Sequence, residues 1–267
     1  MKIVRFRSPS GEILYGAFDS DVTDRATVIE GDIFEDIVIT GRVEPIERFL
    51  PPVSPPNIIA LGLNYGKHAD ETGMGEPESP VMFLKATTSI IGHGSPIVLP
   101  AAGPDEVDYE AELAIIIGKK GKNISRDDAE EYVLGYACAN DVSARDWQAR
   151  KQKKQWARGK SFDTFCPIGP YLVTKDEVKN PGCLQIRAIL NGEVMQDSNT
   201  SDMVFDIPAI ISDISSSITL LPGTVILTGT PEGVGFTRIP PVFLKDVDII
   251  TVSIEGIGDL TNRVTRE

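Results

Sequence analysis

Histidine, cysteine, long apolar runs and positive charge are all scarce in this chain, and each shortage excludes something. Two histidines, His68 and His93, cannot build a three-histidine zinc site. Three cysteines, Cys138, Cys166 and Cys183, are an odd number without CxxC spacing. They argue against a disulfide framework or cysteine-rich zinc and read as small core residues in a reducing cytosol. No run approaches the roughly 18 consecutive apolar residues of a membrane span. The opening Met1-Lys2-Ile3-Val4-Arg5-Phe6-Arg7 is charged too early for a signal peptide, so the expected location is the cytoplasm. Lysine and arginine number 26 against 39 acidic residues, a net charge of −13. Only Arg150 to Lys154 is a basic cluster, so neither nucleic acid nor an anionic membrane is an expected partner.

What is present is 267 residues, 41% hydrophobic, with 24 glycines and 19 prolines. That suffices for one large domain, or one domain and a small one, built from short strands and many turns. Residues 1–50 alternate short apolar runs with turns and read as a small β-rich module. Pro51-Pro52-Val53-Ser54-Pro55-Pro56 follows, a stiff linker that places a domain boundary at 51–57 and leaves 58–267 as the main domain.

The most informative stretch is 107–118. Val107, Tyr109, Ala111, Leu113, Ile115 and Ile117 recur with period two, as one strand over the whole segment would require. Glu110 and Glu112 then project from the same side, their Cα atoms about 7 Å apart. Two carboxylates beside a core are costly unless a cation or donors offset them. One reading is a hard cation ligated by oxygen; the other is an edge strand whose carboxylates face water. With so few histidines, any metal must lean on carboxylates, which favours magnesium or manganese, with calcium the other hard cation of that class.

Further strands are expected at 3–6, 13–18, 37–39, 58–62, 81–85, 134–139, 224–228, 247–254 and 262–265, with an edge strand at 95–100. A hairpin is expected over 184–196 around Asn191-Gly192. Short helices are expected at 126–133, capped by Ser125, and at 207–218, with Pro208 in the first turn. Residues 72–80, with two glycines and two prolines, read as a mobile loop. Strands dominate and no βαβ alternation is visible. The fold class is α+β, mainly β, as a sandwich or roll.

Several residues carry chemistry. Asp141 ends an apolar strand and is either a turn cap or a third carboxylate beside Glu110 and Glu112. Lys160 sits among aromatics, either lying over the core or meeting an anionic oxygen in a cleft. The loop 229–235 is glycine-rich but is no Walker motif. His68 and Glu71, spaced i and i+3, share a helical face; they are a solvated pair or an oriented general base.

Five stretches in order carry a family resemblance: Gly62-Leu63-Asn64-Tyr65-Gly66-Lys67-His68, Asp108-Tyr109-Glu110-Ala111-Glu112-Leu113, Asn140-Asp141-Val142-Ser143-Ala144-Arg145-Asp146, Gly159-Lys160-Ser161-Phe162-Asp163-Thr164-Phe165-Cys166-Pro167 and Leu227-Thr228-Gly229-Thr230-Pro231-Glu232-Gly233-Val234-Gly235. Over about 60–267 the chain resembles the fumarylacetoacetate hydrolase family. The resemblance implies a mixed β-sandwich roll, a homodimer, and magnesium or manganese held by Glu110, Glu112 and Asp141. It implies that Lys160 and Thr230, with Arg145 and Gln148, contact a small anionic 2-oxo acid. It also implies that His68 and Glu71 form a lid pair that activates water when the lid orders over substrate. The first 50 residues resemble the short leader of smaller bacterial relatives, not the large N-terminal domain of fumarylacetoacetase. The expected activity is metal-dependent cleavage of a carbon–carbon bond in a 2,4-diketo acid. The alternatives are decarboxylation of a 2-oxo acid such as oxaloacetate, isomerisation of a 2-hydroxyhepta-2,4-diene-1,7-dioate, and a non-catalytic sandwich that only binds.

Overall fold

The apolar alternation of residues 107–118 is realised as two strands. A computed structural model describes residues 1–19, 21–102 and 105–267. In chain order the strands are β1 (Lys2–Arg7), β2 (Ile13–Ala17), β3 (Arg25–Gly31), β4 (Ile37–Pro45), β5 (Arg48–Leu50), β6 (Ile58–Gly62), β7 (Val81–Lys85), β8 (Ile90–Ile91), β9 (Ile97–Leu99), β10 (Val107–Asp108), β11 (Ala111–Ile117), β12 (Val133–Asn140), β13 (Ser143–Ala144), β14 (Cys166–Thr174), β15 (Gln185–Leu190), β16 (Glu193–Asn199), β17 (Val225–Leu227), β18 (Ile249–Ile254) and β19 (Gly258–Arg266). The α-helices are α1 (Gly66–Glu71), α2 (Trp156–Gly159) and α3 (Ile207–Ser217).

The path β4-β3-β2-β1-β14-β12-β11-β17-β6-β7 forms a twelve-stranded sheet, with β5 beside β1 and β8 beside β14. A second sheet runs β16-β15-β18-β19-β9. The mainly-β α+β class expected from the sequence is what the chain adopts. No helix among the described residues is long and apolar enough to cross a membrane.

β11 is central, paired with β12 and β17, so the water-facing edge reading for it fails. Both of its faces are buried. Leu113, Ile115 and Ile117 enter one core with Ile186, Val252 and Leu260 of the second sheet. Ala114 and Ile116 enter another with Ile58, Ala137, Leu172 and Val225. Each such aliphatic side chain contributes about 1.5–3 kcal/mol. The strand breaks at Tyr109 and Glu110 because side chains take the backbone amides there. Tyr109 N donates to Asp108 Oδ1, Glu110 N to Asn140 Oδ1 and Ala111 N to Gln196 Oε1.

Residues 1–50 share the large sheet with the rest of the chain. Lys2 and Ile3 of β1 pair with Val173 and Leu172 of β14. The proline segment is irregular, as expected, but it is packed: Val53 is 1% exposed, so it does not act as a free spacer. β14 and β3 have no counterpart in the sequence reading. Pro167 and Pro170 argue against a central strand. The pairing with β12 nevertheless steps from Tyr136↔Val173 to Cys138↔Gly169, leaving Pro170 inside a bulge where no ladder amide is required. The hairpin forms as expected, with Asn191 and Gly192 both at positive φ. The helix expected at 126–133 is reduced to a 3-10 turn, Ala129–Tyr132; Ser125 Oγ accepts from Asp128 N at its start.

If β1 is an integral strand of the large sheet, Ile3→Ala costs about 2–5 kcal/mol, the usual range for an aliphatic core truncation. Chemical denaturation followed by far-UV circular dichroism checks this. The expected result is one cooperative transition at lower denaturant, with no separate early step.

Candidate active site

The β11–β12 register assembles the site. Ala111 pairs with Asn140, and Asp141 N then donates to Glu110 O at 2.9 Å. Glu110, Glu112 and Asp141 are buried, and one oxygen of each lies within 4.8 Å of the others. Asp141 is thus a member of the carboxylate group, the second of its two readings.

Cations are folded in among them. Lys160 Nζ donates to Glu110 Oε2 at 2.8 Å, Asp141 Oδ2 at 2.7 Å and Ser143 Oγ at 2.7 Å. Lys85 Nζ donates to Asp141 Oδ1 and to the Lys160 carbonyl. Arg145 Nη1 lies 2.6 Å from Glu110 Oε1, while its Nε donates to Asp108 Oδ2 at 2.9 Å. Burial disfavours a charged Glu110, but Lys160 and Arg145 outweigh it and hold its carboxyl well below the usual range. Burial likewise opposes the Lys160 ammonium, yet Asp141 and Glu110 raise its pKa above the ordinary value. The Lys160 ammonium is thus held by three acceptors within the carboxylate group.

Glu112 differs. Its Oε2 accepts from Gly229 N at 2.7 Å, but its buried Oε1 has no partner. Burial, then Asp141 and Glu110, push its pKa well above the usual carboxylate value. Three converging carboxyl groups, no soft donor and one orphaned carboxyl oxygen fit a hard divalent cation, which would favour the ionised form of Glu112. Gly229 has φ +97°, and a Cβ there would meet the Asn64 Cβ at 2.9 Å. Only glycine brings this amide to Glu112.

A cavity of about 450 Å³ opens above the group. His68, Glu110, Arg145, Gln148, Lys160 and Thr230 all line it, whereas Glu112 and Asp141 lie beneath its floor. The cleft reading of Lys160 is therefore the one realised. Thr230 Oγ1 accepts from Gln196 Nε2 at 2.8 Å, which leaves its own hydroxyl hydrogen for a ligand. Gln148 Oε1 accepts from Arg145 Nη1 at 3.0 Å.

His68 is on α1 and is 6% exposed, so it is not part of a solvated surface pair. Its Nδ1 lies 3.3 Å from Glu71 Oε2. Glu71 also accepts from Gly233 N and, at 2.7 Å, from Thr237 Oγ1. Burial raises the Glu71 carboxyl, but His68, Thr237 and the Gly233 amide outweigh it and hold its pKa down. The first turn of the expected lid is thus a helix docked on the 233–237 loop. Residues 72–80 have no regular structure, and Thr72 and Met74 reach the cavity.

The sequence reading assigned no site role to Lys85, Asp108, Ser143 or Gln196. Lys85 carried a signal: on a period-two strand it shares the buried face of Phe83. Asp108 gave none. It anchors Arg145 and accepts from Gly235 N and Phe236 N, contacts across more than 120 residues.

Removing Lys85 leaves Asp141 short of one buried cation. Lys85→Met is expected to cost about 3 kcal/mol, the low end for breaking one partner of a buried pair. Urea unfolding checks it, and an unchanged midpoint would show that Lys160 alone satisfies Asp141.

Comparison with known proteins agrees with this geometry. Residues 57–265 match the fumarylacetoacetate (FAA) hydrolase C-terminal family, and residues 1–52 match the Rv2993c-like N-terminal family. The chain is 50% identical to the human protein named oxaloacetate tautomerase FAHD2A, mitochondrial, over 99% of this chain and 91% of that one. It is 50% identical to the Xenopus laevis oxaloacetate tautomerase fahd2, over 82% of this chain and 68% of that one. A crystal structure of 5-carboxymethyl-2-hydroxymuconate delta-isomerase from Mycobacterium smegmatis superposes with a TM-score of 0.88 at 43% identity, covering 100% of both chains. Five motifs in order, the β11–β12 carboxylate cluster and a family match spanning most of the chain have one meaning: this chain belongs to the fumarylacetoacetate hydrolase family.

Proposed function

We propose that this enzyme interconverts the keto and enol forms of a small 2-oxo dicarboxylate of the oxaloacetate class by moving a proton at the carbon beside the carbonyl. One observation carries the reading. An imidazole, His68, and an ammonium, Lys160, share one small cavity above three carboxylates. The names of the human, Xenopus laevis and Mycobacterium smegmatis relatives support it, since each of the three describes a tautomerase or an isomerase.

The division of labour follows from the contacts. Glu110, Glu112 and Asp141 would hold magnesium or manganese. When bound, that cation would supply Lewis acidity toward the carboxylate and 2-oxo oxygens of the substrate. Lys160 and Arg145 supply fixed positive charge beside the oxygen that becomes negative. Thr230 offers a hydroxyl to the same end of the substrate. Glu71 accepts from Nδ1 of His68, which leaves Nε2 as the nitrogen that takes and returns the proton. α1 and the 233–237 loop keep water from the carbon centre.

A second reading is hydrolytic cleavage of an acylpyruvate. The Glu71–His68 pair favours it, because an imidazole oriented by a carboxylate also suits activation of a water. Decarboxylation would use the cationic half of the site alone.

Two measurements test these assignments. His68→Ala is expected to slow oxaloacetate tautomerisation about 100-fold or more, the scale for losing a general acid–base group, with manganese affinity unchanged. Ultraviolet decay of the enol gives the rate. A wild type that leaves that decay unaltered but cleaves acetylpyruvate would establish the hydrolase reading instead. For the cation, Glu112→Gln is expected to lose manganese binding by calorimetry. At a metal concentration of 100 times Kd, the wild type should gain about 2.7 kcal/mol of stability that the variant lacks. Full activity in excess chelator would contradict the metal assignment.

A further inference from the structure

A second concavity, of about 1160 Å³, shares no lining residue with the catalytic cavity. Arg7, Glu47, Arg48, Phe49, His93 and Ser95 form much of its wall. Strands β1 and β5 pair antiparallel with Arg7 directly opposite Arg48. Directly opposed residues place their side chains on the same face, with Cβ atoms about 4.5–5.5 Å apart, and like charges so placed destabilise the pair.

Neither guanidinium has a carboxylate partner among the described residues. Arg48 Nη2 donates only to the neutral Ser95 Oγ, at 3.1 Å. Glu47 lines the groove without forming an ion pair to either arginine. A shortage of carboxylates does not explain this, because acidic residues outnumber basic ones 39 to 26. Arg42 pairs with Glu12 and Glu44, Arg126 with Asp206, Arg150 with Glu106 and Arg187 with Asp197, while the exposed Arg158, Arg263 and Arg266 form no ion pair among the described residues; what sets Arg7 and Arg48 apart is that they are unpaired and directly opposed.

The facing wall is fixed in place. Asn262 Nδ2 donates to Gly92 O at 3.0 Å and Ser95 O at 2.7 Å, which pins the loop carrying His93 and Ser95. His93 accepts from Thr261 N at Nδ1 and rests edge-on against Phe49, with ring centroids 5.4 Å apart.

We propose that this groove binds the phosphoryl group of a small organic phosphate between Arg7 and Arg48. Two opposed guanidinium forks offer more donors than one carboxylate can accept. A phosphoryl dianion presents three oxygens and balances both charges. The groove is far larger than a phosphate ion, which leaves room for an organic body beside Phe49 and Pro96. A free phosphate ion has the same recognition chemistry, so the experiment separates the two sources.

The full-length protein is titrated by calorimetry with inorganic phosphate and with glycerol 3-phosphate. Magnesium and oxalate are present to fill the catalytic cavity, and the comparison is the Arg7→Gln/Arg48→Gln double variant. Both positions are exposed, and circular dichroism verifies the fold. The wild type is expected to bind glycerol 3-phosphate saturably, and the double variant about tenfold or more weakly. Equal wild-type affinity for inorganic phosphate, lost in the variant, would support the anion site with the free ion as its source. In phosphate-free, low-salt buffer Arg48→Gln should melt no lower than the wild type, because it removes a repulsion. Identical titrations for wild type and variant, or no binding by the wild type, would overturn the proposal. So would an absence of binding accompanied by a change in oligomeric mass in the variant, since the groove would then be a subunit contact.

Discussion

The ionic group beneath the catalytic cavity is the constraint on which the structure depends. Asp108, Glu110, Glu112 and Asp141 are buried together with Lys85, Arg145 and Lys160. Seven ionisable side chains removed from water are tolerable only if nearly every oxygen and hydrogen finds a partner. That requirement explains the break between β10 and β11. Regular strand geometry at Tyr109 and Glu110 would commit their amides to a ladder, whereas Asp108 and Asn140 now take them. It also explains why glycine follows β17, since Glu112 needs the Gly229 amide at close range.

The same group divides the chemistry. Lys160 is locked by three acceptors, whereas His68, which lines the same cavity, is held through Glu71. Glu112 retains one unpaired oxygen, the point at which the cage could accept a cation. The helix carrying His68 is tied through Glu71 to the loop after β17, and Asp108 ties that same loop to Arg145. The helix carrying His68 and the Arg145 guanidinium are therefore both anchored on one loop. Under the proposed function, a site built this way suits any reaction that develops negative charge on a 2-oxo group. Relatives named for different reactions can share it because the cationic half is common and the proton-handling half decides the outcome.

The phosphoryl groove rests on a different principle. In the cage, opposite charges are brought together and satisfied within the chain. Between β1 and β5 the register forces like charges together, and satisfaction must come from outside it.

The sequence by itself determined the element types and the chemical inventory. Period-two runs, the Asn191-Gly192 turn and the shortage of histidine are local properties, and local sterics and donor chemistry fix their meaning. They gave the mainly-β class, the hairpin, α3, and Glu110, Glu112 and Asp141 as a candidate metal set. Only tertiary structure decided what depends on distant partners. Pro167 and Pro170 lie in a strand flanked by β1 and β12 because a bulge absorbs one of them, and no local rule foresees a bulge. Residues 1–50 join the main sheet through β1 and β14, a pairing across about 170 residues that composition cannot encode. Lys85 and Asp108 became parts of the site because their partners, Asp141 and Arg145, lie 56 and 37 residues away. Whether a buried charge is a cost or an anchor depends on what faces it, and the fold alone sets that.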